Sequence, residues 1–245
     1  MDILVLGDSD SSGEHTGGVS WVQMLEFDLR QSGIDANVRS IGFSAVPVTA
    51  PDYAERRVAE LKPEAVVVMV GAWGFTYTMV QLQVEALFGK RVKEWYVWLE
   101  HRFESQTRTP GADPPPLNRL ARRAVRRVIG TRAQISREQL TERYREVFRR
   151  LARFEDTDVI AMTYQGIGDH VEAGNMPAQR RRFFAEVQRA AEEHHYGWVH
   201  EPELFADLPN WHDYAIDELH FNVLGHRRIL GTIAPKVHAL AAEPV

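Results

Sequence analysis

The chain contains no cysteine, which excludes disulfide bonds, a thiolate nucleophile and a cysteine-ligated metal. It also contains no apolar run near the roughly 20 residues that a membrane-spanning helix needs. The first residues, Met1 to Gly7, have no basic start and too few apolar positions for a signal peptide. These absences predict a soluble, cytoplasmic protein and leave a peripheral membrane contact open.

Charge of one sign is not strongly in excess. The formal net charge of -5 argues against general nucleic-acid binding, because such proteins carry a basic surface. A composition of 44% hydrophobic and 26% charged residues is typical of a soluble globular protein. With 245 residues, the sequence fits one α/β domain with an added segment.

Short apolar, β-branched runs alternate along the chain with helical patterns. Buried strands are predicted at Asp2–Leu6, Ala36–Ile41, Ala65–Val70 and Asp158–Thr163, with a weaker fifth strand at Gly197–His200. Helices are predicted at Ser20–Ser32, Asp52–Leu61, Arg137–Phe154, Pro177–His195 and Asn222–Ala242. This alternation predicts an α/β fold with right-handed crossovers, a parallel sheet, helices on both faces, and a ligand site at the carboxyl ends of the strands.

One segment, from about 85 to 136, does not follow the alternation and is predicted to be an insertion. Aromatic and basic residues alternate before its proline triplet, as in an amphipathic helix. After the prolines comes a short run with five arginines: Arg119, Arg122, Arg123, Arg126 and Arg127. The insertion is interpreted either as a solvated helical cap or as a lid or docking surface for coenzyme A, a phosphopantetheine carrier protein or an anionic lipid.

A serine follows the first predicted strand, at the position where α/β proteins place reactive groups. Ser9 becomes a good nucleophile only when a base takes its proton. Near the other end of the chain, Asp217 and His220 are three residues apart, so one helical turn puts both side chains on one side. His220 is then the candidate base, oriented by Asp217. Read alone, Ser9 is equally typical of a turn or a helix cap.

Two blocks of sequence resemble the SGNH (GDSL-type) hydrolases. The first runs from Ile3 through Gly7-Asp8-Ser9 and Gly13 to the segment Ser20–Leu25, and the second is Asp217–Asn222 with Gly225-His226. The other common serine-hydrolase motif, G-x-S-x-G, is absent. The resemblance implies a flavodoxin-like, three-layer α/β/α sandwich whose members hydrolyse esters or thioesters or transfer acyl groups.

The resemblance also implies roles for individual residues. Ser9 is the nucleophile and donates its backbone N–H to the oxyanion, and Gly42 is the second donor. The family's third donor is an asparagine after the third strand, but this chain has Trp73 in the corresponding Gly71–Gly74 block. Trp73 either donates through its indole N–H, lines the acyl pocket or is purely structural, and the neighbouring Thr76 and Tyr77 are alternative donors.

Other functions remain open at this stage. Asp8 is the nucleophile if the segment from Leu6 to Ser12 is instead interpreted as a magnesium-dependent phosphatase motif. The missing asparagine is also compatible with a catalytically weakened acyl-binding module. Within serine catalysis, acyl transfer and thioester cleavage compete with ester hydrolysis, because the acyl-enzyme is common to all. The serine mechanism needs no metal and no organic cofactor.

Overall fold

The computed structural model describes residues 1–76, 78–105, 127–130, 132–164, 176–200, 211–214, 216 and 220–242. The chain divides into two compact units, one formed by Met1–Trp73 with Arg137–Val245 and the other by Gly74–Ser136. The second unit begins at Gly74, whereas the sequence placed the start of the insertion near residue 85. Both Ser9 and His220 belong to the first unit.

The strands of the described residues are β1 Asp2–Gly7, β2 Asn37–Gly42, β3 Ala65–Gly71, β4 Thr78–Met79, β5 Arg132–Ala133, β6 Asp158–Tyr164 and β7 Gly197–His200. Five of them form one sheet in the order β2-β1-β3-β6-β7, and every pairing in that sheet is parallel. The sheet confirms the predicted α/β fold class. Its strands match the five predicted ones to within a residue at each end.

The helices with described bounds are α1 Ser9–Ser12, α2 Trp21–Gln31, α3 Ala50–Leu61, α4 Trp73–Thr76, α5 Val80–Phe88, α6 Lys90–Ser105, α7 Arg137–Leu151, α8 Met176–Glu192 and α9 Val223–Ala242. Short 3-10 turns occupy Glu14–Thr16 and Trp211–Tyr214. None of the helices in the described part of the chain combines the length and apolar character needed to cross a membrane.

Helices cover both faces of the five-stranded sheet. On one face α2 packs against α9, and on the other α7 packs against both α3 and α8. The residues of β3 from Ala65 to Val70 are all buried, which explains why this strand is a continuous apolar run. Helix α2 starts where the sequence predicts it, because Ser20 and Gln23 form a capping box at its amino end.

The second unit contains the short antiparallel pair of β4 and β5 together with α5 and α6. Helix α6 covers the predicted aromatic and basic segment before the prolines, and its Trp95 and Trp98 are exposed. Of the arginine run, only Arg127 lies in the described part of the chain, where it is exposed. Arg119, Arg122, Arg123 and Arg126 lie outside the described residues, so the anionic partner stays a prediction.

Candidate active site

Ser9 is the first residue of α1, directly after the carboxyl end of β1. The Asp8 carboxylate caps this helix by accepting the backbone N–H of Asp10 at 3.1 Å. The turn requires glycine at position 7, because a Cβ there would lie 2.7 Å from the Met69 sulfur and still closer to the Ser11 side chain. The sequence thus fixes a tight strand-to-helix turn that leaves Ser9 half-buried at the edge of the sheet.

The end of β2 lies beside this turn. The Ser11 Oγ is 2.6 Å from the Ser40 Oγ, and the Phe43 backbone N–H donates to the Gly7 carbonyl at 2.6 Å. In the strand register Gly42 is opposite Gly7, and Gly42 is exposed. A Cβ at Gly42 would meet no atom within 4 Å, so the space beside this backbone is open.

His220 reaches the same edge from the far end of the chain. Its ring stacks on the ring of His15, which lies just after α1, with 3.6 Å between centroids and 35° between planes. The next backbone N–H, that of Phe221, donates to the Asp10 carboxylate at 3.1 Å. The structure therefore brings the segment that carries the predicted base to the helix that carries the predicted nucleophile.

Asp8, the residue before Ser9, has a perturbed pKa. Burial raises the pKa of the Asp8 carboxyl to about 6, although N–H donors and the nearby His220 act to lower it. The loss of solvation therefore outweighs the favourable contacts. Asp8 and His220 are close enough to interact electrostatically, which places both at one site.

The segment around His220 is held by its own hydrogen bonds. The Ile216 N–H donates to the His220 carbonyl at 2.9 Å, and the Asn222 N–H donates to the Tyr214 carbonyl at 3.0 Å. The Asn222 side chain accepts from the N–H groups of Leu224 and Gly225 and so caps α9. Asp217 lies outside the described residues, and its predicted role in orienting His220 stays a prediction.

His226, which belongs to the second block of the resemblance, is buried in α9. Its ring meets the buried Phe221 ring edge-on, with 6.2 Å between centroids. Burial lowers the pKa of His226 to about 4, so this imidazole is neutral at physiological pH. His226 packs behind the segment that carries the candidate base.

The turn between β3 and α4, around Gly71 and Trp73, is held by a tyrosine hydroxyl and by an indole ring. The Gly71 N–H donates to the Tyr144 hydroxyl at 3.0 Å, and that hydroxyl donates to the Met69 carbonyl at 3.3 Å. Burial raises the pKa of Tyr144, so it remains a neutral phenol. Trp73 packs against the apolar core beneath the sheet, and its ring lies so close to Gly71 that a Cβ there would be 2.9 Å from the indole Cδ1.

Thr76 and Tyr77 are the alternative oxyanion donors that the sequence suggests. Thr76 is half-buried in the second unit, and Tyr77 lies outside the described residues. Their predicted role, and that of Trp73, stays a prediction. No group of three or more His, Asp or Glu side chains in the described part of the chain is arranged to hold a metal ion.

The sequence did not indicate Asp10, His15 or Tyr144 as residues of the site. Asp10 had one available signal, because it is a carboxylate next to the candidate nucleophile and also belongs to the alternative phosphatase motif. The contacts of His15 and Tyr144 join residues far apart in the chain, and neither residue belongs to a recognisable motif.

Solved structures similar to this chain include esterases and a lipase. An acetyl xylan esterase, AlAXEase, matches with a TM-score of 0.60 and 14% identity, over 97% of this chain and 100% of that one. A catalytic mutant of the acetylxylan esterase Axe2 from Geobacillus stearothermophilus matches with a TM-score of 0.59 and 16% identity, over 99% and 94%. A GDSL-like lipase from Bacteroides thetaiotaomicron VPI-5482 matches with a TM-score of 0.54 and 12% identity, over 97% and 88%.

No protein-family model matches the sequence, and no curated protein matches it. The likeness to the solved structures extends over nearly the whole chain and includes the parallel sheet with helices on both faces. It agrees with the resemblance that the Gly7-Asp8-Ser9 and Asp217–Asn222 blocks carry in the sequence. The chain therefore has the fold of the SGNH (GDSL-type) hydrolases.

Proposed function

We propose that this protein hydrolyses acyl esters through a covalent intermediate on Ser9. The observation that carries the proposal is the meeting of two distant segments: Ser9 opens α1, and His220 stacks on His15 just beyond that helix. A serine hydroxyl and an imidazole at one edge of the sheet are the minimum set for nucleophilic acyl transfer. The likeness to solved esterases supports the same chemistry.

In the proposed mechanism, His220 accepts the proton of the Ser9 hydroxyl as its oxygen attacks the ester carbonyl. The resulting imidazolium gives this proton to the departing alcohol, leaving an acyl-enzyme. Water then attacks the acyl-enzyme, with His220 again taking and returning the proton. Asp217 holds the imidazole in the tautomer that this cycle needs.

Backbone N–H groups stabilise the negative charge of each tetrahedral intermediate. The first N–H groups of a helix have no partner within it, so the Ser9 N–H at the start of α1 suits an oxyanion. We assign the second donor to Gly42, whose open surroundings let a substrate approach the backbone. The third donor of the related enzymes has no asparagine counterpart here, which predicts modest turnover.

We propose short acyl esters as the first substrates to examine, because two of the similar structures are described as acetyl xylan esterases. A panel of p-nitrophenyl esters of increasing acyl length, acetylated xylan and an acyl thioester separates esterase from thioesterase activity. Adding an alcohol acceptor to the same assays tests acyl transfer. Repeating them with a chelator tests the phosphatase alternative, because serine chemistry does not depend on a metal.

The proposal is tested by comparing Ser9→Ala with a matched control, Ser32→Ala. Ser32 is exposed and lies beyond α2, where its hydroxyl donates to the Asp28 carbonyl. We expect Ser9→Ala to lower kcat by about 10³-fold or more and Ser32→Ala to leave it unchanged. A fluorophosphonate probe should label wild type on Ser9. Equal esterase activity in Ser9→Ala and wild type would contradict the mechanism.

A further inference from the structure

Asp10 is a buried carboxylate that the mechanism above does not use. Its side chain is only 2% exposed, although it follows the nucleophile directly in the chain. Aspartate is almost never fully buried unless its charge is paired or hydrogen-bonded, because removing a carboxylate from water is costly. The contacts that keep Asp10 inside the protein therefore indicate what it does.

The Asp10 Oδ1 accepts the backbone N–H of Phe221 at 3.1 Å, across 211 positions of the chain. Hydrogen bonds from a neutral N–H to a carboxylate are stronger than those between neutral groups. The neighbours of the two bonded residues are Ser9 and His220. This hydrogen bond thus joins the residue next to the candidate nucleophile to the residue next to the candidate base.

The two sides of this bond are fixed in different ways. The Asp10 side is built into α1, because the Asp10 N–H donates to the Asp8 carboxylate and the next turn bonds to the Asp8 carbonyl. The Phe221 side is anchored by a fully buried ring within the core. The bond between Asp10 and Phe221 therefore connects α1 to the core at the residue next to His220.

We propose that Asp10 is a positioning residue that sets the register of the His220 segment against the nucleophile helix. It acts through the backbone of Phe221 and does not touch the substrate. A proton transfer between Ser9 and His220 requires hydrogen-bond reach, and a shift of about 1 Å lowers rates by as much as 10²-fold. The kinetic consequence of this inference rests on the proposed function. The hydrogen bond between Asp10 and Phe221, called the tether below, is a property of the fold.

The substitutions that test it are Asp10→Ala, which removes the acceptor, and Asp10→Asn, which keeps an oxygen acceptor of the same shape. We expect Asp10→Ala to lower kcat by about 10- to 100-fold with little change in KM. Asp10→Asn should restore kcat to within about threefold of wild type, because the Phe221 N–H still has an acceptor. The Asn variant also guards against loss of folding, since it leaves the packing almost unchanged.

A double-mutant cycle with His220→Ala separates positioning from general destabilisation. If Asp10 acts by placing His220, Asp10→Ala should not lower the residual rate further once the imidazole is gone. An equal fractional loss in the wild-type and His220→Ala backgrounds would overturn the proposal, and so would full activity in Asp10→Ala.

Amide hydrogen exchange provides a readout that does not depend on catalysis. In a peptide that covers 216–226, Asp10→Ala should speed the exchange of the Phe221 amide, and Asp10→Asn should not. Unchanged exchange in Asp10→Ala would show that the tether does not hold the segment. If instead Ser9→Ala retains wild-type activity while this exchange pattern appears, the proposed function fails and the tether stands.

Discussion

The two halves of the candidate site are built on different principles. The nucleophile half, formed by Asp8–Gly13 and His220–His226, joins both ends of the chain through polar contacts such as the 3.1 Å bond between Asp10 and Phe221. The oxyanion half, formed by Gly42 and Gly71–Trp73, is a pair of strand ends with open backbone on one side and a core-packed indole on the other.

In the proposed mechanism, the first half activates the nucleophile and the second half stabilises the negative charge of the intermediate. In the sequence, the nucleophile half contains Ser9 and His220 of the two blocks that resemble SGNH hydrolases, whereas the oxyanion half departs from the resemblance at Trp73. The comparison predicts an enzyme whose acyl-enzyme chemistry is complete and whose turnover is limited by one missing donor.

The largest effect should come from removing His220, the general base of the nucleophile half. We expect His220→Ala to lower kcat by about 10³-fold or more, because the imidazole that takes the Ser9 proton in the proposed mechanism is removed. Asp217→Ala should cost less, since the imidazole itself remains. Steady-state kinetics with p-nitrophenyl acetate measure both. A kcat in His220→Ala within tenfold of wild type would mean that His220 is not the general base.

Two titratable residues of the nucleophile half, His226 and Asp8, should make the free energy of unfolding depend on pH. His226 has a folded pKa of about 4, below the value near 6.5 of an unfolded histidine. The unfolded chain therefore takes up this proton first, and stability is lost as the pH falls from about 6.5 to 4. Asp8 has the opposite sign, because its folded pKa of about 6 lies above its unfolded value of 3.8, so acidification through that window adds stability.

Each group is worth on the order of 3 kcal/mol at the end of its window, so the two slopes nearly cancel in the wild type. Single substitutions should expose them. Urea unfolding of His226→Phe should show stability rising on acidification from pH 6.5 to 4, and Asp8→Asn should show it falling. Parallel curves for wild type and both variants would refute the assigned burial effects. Because both measurements are of stability, they hold whether or not the protein is an esterase.

The elements of the first unit were predictable because their signals are local. The all-apolar β3, the Ser20 capping box and the Gly7-Asp8-Ser9 turn each carry a pattern within a few residues. The sequence predicted that Ser9 and His220 meet, but it did not predict the bond between their neighbours Asp10 and Phe221, because no local pattern specifies which backbone N–H a buried carboxylate accepts. The packing of Trp73 against the core likewise depends on residues distant in the chain, which no period in the sequence specifies.

A smaller effect should come from repairing the oxyanion half. We expect Trp73→Asn to raise kcat by about 10- to 100-fold, because an oxyanion-hole donor is worth that much or more in related chemistry. Trp73→Leu is the matched control, because it also removes the indole but supplies no donor. Both variants should lose stability, since the ring packs against the core, so the assays belong at low temperature. If Trp73→Asn and Trp73→Leu lose activity equally, the indole itself serves the reaction.

The smallest effect tests the open side of the oxyanion half. A methyl group at Gly42 meets no protein atom within 4 Å, so Gly42→Ala should leave the urea midpoint unchanged. It should lower kcat by about tenfold, because the added methyl stands where the substrate must approach the backbone N–H. Gly231→Ala is the control: this glycine is exposed inside α9 with equally open space, and alanine there should add about 1 kcal/mol of stability without altering kcat. An unchanged kcat in Gly42→Ala would show that the Gly42 N–H is not an oxyanion donor. The Ser9 N–H would then be the remaining assigned donor.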